Sequence, residues 1–202
     1  MTEIESIKQA ALDYPVHPLI ASRWSPRAFD SKPIENEKLQ HIFEAARWTA
    51  SSSNLQPWYF LVGFKEDEVY EKIISTMVEF NQLWAKTAPV LVLAISARIT
   101  AKGEQNHSHA YDLGQAVSAL SLQATADGIF VHQMGGFDKE KAKELLEIPE
   151  SFSVQVAFAM GYRTDEEILH PKIQKLERSP RERRPVSETV FTGSFGHSAD
   201  FL

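Results

Sequence analysis

Apolar residues recur at helical spacing from Glu37 to about Ala50, where Leu39, Ile42, Phe43 and Ala46 share one face and Glu37, Lys38, Gln40 and Glu44 supply the wet one. The same periodicity predicts an amphipathic helix from Glu66 to about Phe80 through Val69, Ile73, Ile74 and Met77. A third helix covers about Ala110 to Ala126, with a small-residue face of Gly114, Ala116, Ala119 and Ala124 that permits close approach of a neighbour. Gly128 is placed to terminate it. Glu3 to Leu12 forms a short opening helix, and Asp138 can cap another that reaches Leu146.

Between these lie strand signals. Trp58 to Phe64 reads as a strand, Val90 to Ile95 is a continuous apolar run suited to a central one, Ile129 to His132 is short, and Phe152 to Gly161 alternates too little to be half exposed. Val190-Phe191 offers a last brief candidate. Tyr14-Pro15, His17-Pro18 and Pro57 resist helical continuation, and Ser51-Ser52-Ser53-Asn54 competes for backbone groups. The order fits an α+β protein with a mixed sheet better than a regular strand–helix alternation. Neither a linker nor an internal repeat divides the chain, so residues 1-202 read as a single domain.

Composition narrows the chemistry. At 202 residues, 43% hydrophobic and 24% charged, the chain is long enough for a substantial core. It contains no cysteine, which excludes disulfides, thiolate nucleophiles, iron–sulfur clusters and Cys-dependent zinc sites. A formal charge of -6 argues against a protein that wraps nucleic acid. Met1 to Asp13 lacks the apolar core of a secretory signal, and Ala88 to Ala97 is about half the length of a membrane-spanning helix. The expectation is a soluble, cytoplasmic protein without membrane or nucleic-acid partners.

Several residue groups could carry function. Arg23, Arg27, Arg183 and Arg184 could converge on one phosphate, with Ser25 adding a neutral donor, or could pair with surface carboxylates. Ser51 to Asn54, followed by Gln56, Pro57 and Trp58, could rim a planar heterocycle or form a turn before a core tryptophan. Gly135-Gly136 lets backbone amides approach a ligand, but it is neither a dinucleotide fingerprint nor a P-loop. His107 and His109 lack a His-Glu-x-x-His frame and a third ligand, so a loop is the simpler reading and no metal site is assigned. His132 reads as a satisfied strand-end histidine. No Gly-x-Ser-x-Gly elbow accompanies the serine cluster, and Asp165-Glu166-Glu167 reads as a solvated face.

Taken in order, Arg23-Trp24-Ser25-Pro26-Arg27-Ala28-Phe29, Ala50 through Phe60, Ala88-Pro89-Val90, Asp112-Leu113-Gly114, Gly135-Gly136, Ala159-Met160-Gly161-Tyr162 and Arg183 through Glu188 resemble the nitroreductase-like family of flavoproteins. The resemblance covers roughly residues 17 to 192. It implies an FMN enzyme with a mixed central sheet surrounded by helices, and an intertwined homodimer with flavin at the subunit interface. By the same resemblance Arg23 and Ser25, with Arg183 and its neighbour Arg184, contact the FMN phosphate. Arg27 reaches the ribityl or pyrimidine side, where its charge favours the anionic reduced flavin. Ser51, Ser52 and Asn54 contact flavin across the dimer, and Trp24, Gln133, Gly135 and Gly136 complete the cofactor-binding set. Ala50 stands where the family often has proline, Trp24 is bulkier than the usual residue, and Lys102 to His109 matches nothing assigned.

The implied activity is two-step transfer, in which NADH or NADPH reduces FMN and a nitroaromatic, quinone or activated enal then takes the electrons. The cofactor carries the difficult chemistry, so Arg27 and Asn54 are the catalytic candidates as electronic and hydrogen-bonding supports. Phe80, Trp84 and Phe137 could line an aromatic-accepting pocket, with core or interface packing the simpler reading of each. The C-terminal tail is expected to contact the partner subunit. The rival readings are a flavin-binding or flavin-degrading protein of the same fold, a dimeric interaction protein without cofactor and, more distantly, a zinc hydrolase.

Overall fold

The computed structural model describes residues 3–202. Its chain forms two compact units, Arg23–Glu177 and Met1–Ser22 together with Arg178–Leu202.

In the larger unit, four strands, β1 (Trp58–Phe64), β2 (Val90–Ala97), β3 (Phe130–Met134) and β4 (Phe152–Gly161), form one sheet in the order β1-β2-β4-β3. All three pairings are antiparallel, so the parallel component of a mixed sheet is not among these four strands. The α+β class stands. β2 is central and almost wholly buried, as its unbroken apolar run requires. Its alternate residues feed two cores: Leu91, Leu93 and Ile95 on one face, Val90, Val92 and Ala94 on the other.

Helices α3 (Asn36–Arg47) and α6 (His109–Ala126) cover the second face, where Ile42, Ala46, Ala116, Leu120 and Ala124 are fully buried. The small residues of α6 are split: Ala116 and Ala124 face the core, whereas Gly114 is exposed. The first face is covered by α4 (Glu68–Thr76), α5 (Glu79–Ala85), α7 (Lys139–Leu145) and α8 (Pro171–Glu177), through Ile73, Trp84, Ala142 and Ile173. Asp138 caps α7 as expected, accepting from the Lys141 nitrogen at 3.0 Å.

The single helix expected over Glu66 to Phe80 is two. The chain turns extended at Met77, which bridges to Phe137, and the Val78 nitrogen donates to the Gly136 carbonyl at 3.1 Å. These tertiary partners take backbone groups that a continuous helix would keep internal. Gly63 explains how closely α4 lies on β1, since a Cβ there would meet the Tyr70 nitrogen at 2.5 Å.

The smaller unit holds α1 (Glu3–Lys8) and α2 (Pro18–Ser22). The opening helix is shorter than its pattern implied, and Pro18 starts a helix because its missing N–H costs nothing at the first position. The Arg181 guanidinium ties these pieces together, donating to the carbonyls of Lys8 at 3.0 Å and Ala21 at 2.9 Å. Val190-Phe191 builds no strand; Phe191 makes a single bridge to Ser198.

Candidate functional site

The Arg23–Phe29 segment is fixed to the sheet by its own backbone. The Pro26 carbonyl lies 2.8 Å from Nδ1 of His132 on β3, and since a carbonyl only accepts, Nδ1 carries the proton. The Ala28 carbonyl accepts from the Thr164 nitrogen at 3.1 Å, and the Asp30 nitrogen donates to the Tyr162 carbonyl at 2.8 Å. Trp24 is buried and meets Phe130 edge-on at 6.0 Å, so its bulk fills the space beneath the segment. Arg23, Ser25 and Arg27 remain half-buried.

Arg27 is held at two levels. Its backbone nitrogen donates to Glu177 Oε1 at 2.7 Å, and its Nη1 lies 3.4 Å from Glu177 Oε2. Its Nε is buried without a protein partner. The nearby His132 ring lies 4.3 Å from that of Trp84, and burial pushes its pKa down to about 4, with the positive charges of Arg27 and Arg23 acting in the same sense. It is therefore neutral near pH 7.

Ser51 to Gln56 forms a tight 3-10 turn over Ser52–Asn54 before β1. Ser53, Asn54 and Gln56 all adopt left-handed backbone, with φ of 50°, 55° and 48°. Such a run of non-glycine residues costs free energy and persists only where its surroundings impose it. Here the buried Asp112 of α6 accepts from the Ser52 nitrogen at 3.1 Å, and Ser51 Oγ accepts from the Gln56 nitrogen at 3.0 Å. The Ser52, Ser53 and Asn54 side chains are left exposed.

After β3, Gly135 leaves open space where a side chain would stand, while a Cβ at Gly136 would meet Asn81 Nδ2 at 2.8 Å. The Gly136 carbonyl is already taken by Asn81 Nδ2 at 3.0 Å as well as by Val78. Gln133 is exposed and reaches Ser121 Oγ at 3.3 Å.

The sheet thus sorts these residues into two groups. Arg23–Arg27, Gln133 and Gly135-Gly136 adjoin β3 at one edge, whereas the Ser51–Asn54 turn leads into β1 at the other. Three interstrand steps put about 14 Å between those strands. Arg183 and Arg184, in the smaller unit, are both exposed, and Arg183 Nη1 donates to the Glu182 carbonyl at 2.7 Å.

An anionic, planar ligand fits the first group: two guanidinium groups, a hydroxyl, one buried and unpartnered Nε, and a glycine without a side-chain obstacle. Of the aromatic pocket candidates, Trp84 and Phe137 belong to the core and Phe80 is exposed. His109 starts α6 with Nδ1 2.8 Å from Ser96 Oγ, and His107 is exposed. Among the described residues no group of three or more His, Asp or Glu side chains could hold a metal ion, and no helix is long and apolar enough to cross a membrane.

Glu177 had no signal in the chain: it sits in the charged stretch after Pro171, and only the fold turns it inward. Asp112 was visible merely as part of a motif, not as the anchor of a turn sixty positions away.

A family model described as Nitroreductase family matches residues 20–79 and 63–162. The crystal structure of an oxidoreductase containing FMN is 38% identical, covers 98% of this chain and 100% of its own, and superposes with a TM-score of 0.88. The oxygen-insensitive NADPH nitroreductase of Helicobacter pylori is 35% identical over 81 residues, covering 40% of this chain and 38% of its own. The NADH dehydrogenase of Thermus thermophilus is 23% identical over 176 residues, covering 71% and 84%.

Proposed function

The chain belongs to the Nitroreductase family, and from that premise we propose that it is an FMN-dependent oxidoreductase working as a homodimer. It takes electrons from NADH or NADPH and passes them to nitroaromatics, quinones or related electron-poor molecules in a ping-pong cycle. Bound FMN supplies the electron-carrying chemistry. With a reduced nicotinamide as donor, the enzyme works in the cytoplasm.

The residues divide the remaining work. Arg23 and Ser25 hold the phosphate, joined by Arg183 and Arg184 from a tail that packs on the partner subunit as part of a single domain. Arg27 presents positive charge to the pyrimidine side, favouring the reduced anion. Gln133 and the backbone of Gly135-Gly136 approach the ring, and Trp24 keeps the arginine segment in place from below. Ser51, Ser52 and Asn54 contact the flavin held mainly by the other chain, Asn54 through its exposed amide.

The observation that carries this reading is the separation of the two polar groups at opposite edges of the sheet. A two-fold partner can bring the turn of one chain to the arginine segment of the other, so that each flavin is held by both chains. The test is an absorbance spectrum of the protein with added FMN, followed by NADH or NADPH without oxygen, and a solution mass. A yellow dimer that bleaches on donor addition and recovers its colour with a quinone supports the reading; a colourless protein that does not retain FMN overturns it.

A further inference from the structure

Glu177 is the last residue of α8 and is 1% exposed. A carboxylate there is disfavoured twice, by burial and by the negative end of the helix dipole. The fold offsets this with donors from two adjacent residues, Arg27 and Ala28. Oε1 accepts from the Arg27 nitrogen at 2.7 Å and the Ala28 nitrogen at 3.4 Å, while Oε2 faces Arg27 Nη1 at 3.4 Å. The guanidinium is only partly enclosed, its side chain 23% exposed, and its buried Nε has no hydrogen-bond partner.

We propose that Glu177 is a positioning residue that fixes Arg27 beside the flavin and offsets its charge, so that the cofactor meets a nearly neutral pair in place of a full cation. This rests on the reading of Arg27 as a flavin contact. The consequence is a restrained reduction potential: an unopposed guanidinium at that place stabilises the anionic reduced cofactor more than the oxidised one, and the carboxylate removes part of that preference. A purely structural role for Glu177 requires only its acceptor atoms, which glutamine keeps in part without the charge.

The experiment measures the reduction potential of the FMN-loaded protein by anaerobic equilibration with a reference dye, for the parent, Glu177→Gln, Arg27→Gln and the double variant. Glu177→Gln is expected to raise the potential, a tenfold gain in preference for reduced FMN being about 30 mV for a two-electron couple. Arg27→Gln is expected to lower it, since it leaves the carboxylate unopposed, and the double variant to return towards the parent. A double variant as low as Arg27→Gln alone, or a Glu177→Gln protein at the parent potential, overturns the proposal. An Arg27→Gln protein at the parent potential instead overturns the placement of Arg27 at the flavin. The double variant removes both charges of the buried pair together and so decides the matter even where Glu177→Gln alone does not fold.

Discussion

Asp112 Oδ2 lies 3.1 Å from the backbone nitrogen of Ser52, so a buried carboxylate on the first turn of α6 tethers an exposed turn in which three non-glycine residues are left-handed. Hydrogen bonds to charged groups contribute roughly 1.5–3 kcal/mol, enough to oppose the strain of such a turn. Asp112→Ala is expected to weaken FMN binding roughly tenfold by releasing Asn54. Asp112→Asn retains an acceptor and is expected to recover most of that affinity. Fluorescence titration with FMN reads both, and equal losses in the two variants would exclude the tether.

The neutral His132 makes stability depend on pH in a definite direction. Its pKa is about 4 in the folded protein against 6.5 as the ordinary value, so between these limits the unfolded chain binds a proton that the folded one does not. The contribution is fully present above pH 6.5 and is lost as pH falls towards 4, amounting to roughly 3 kcal/mol. Denaturant unfolding at pH 7 and pH 4.5 is expected to show a smaller loss for His132→Gln than for the parent. The comparison cancels the carboxylates common to both proteins.

Gly63 admits no side chain, because a Cβ would lie 2.5 Å from the Tyr70 nitrogen and 2.7 Å from its Cα. Both are backbone atoms of α4 and cannot rotate away. Gly63→Ala is expected to destabilise the protein by about 2 kcal/mol or more, the cost of overpacking a close contact. Thermal unfolding checks this, and an unchanged midpoint would mean that α4 shifts freely on β1.

Loss of the phosphate arginines is expected to affect cofactor retention more than folding. Arg23→Ala and Arg183→Ala should each weaken FMN binding about tenfold or more, the value of a charge-assisted hydrogen bond, with lysine restoring part of it. Equilibrium dialysis against FMN, with unfolding curves as a control, separates the two effects. Retention unchanged in both variants would remove these residues from the phosphate site.

The amino-acid sequence by itself determined the elements with regular patterns. β1 and β4 were legible to their ends, and α3, α6 and α7 nearly so, because hydrophobic period and capping residues act over a few positions. The order of motifs also identified Arg23 to Arg27, Ser51 to Asn54 and Gly135-Gly136 as the polar groups to watch. Tertiary structure alone decided the break at Met77, since backbone hydrogen bonds to the Phe137 region outweigh a helical pattern that continues through it. It also decided that Glu177 and Asp112 are buried anchors. A carboxylate in a charged stretch is indistinguishable from its solvated neighbours until the fold brings to it the N–H groups of residues 150 and sixty positions away.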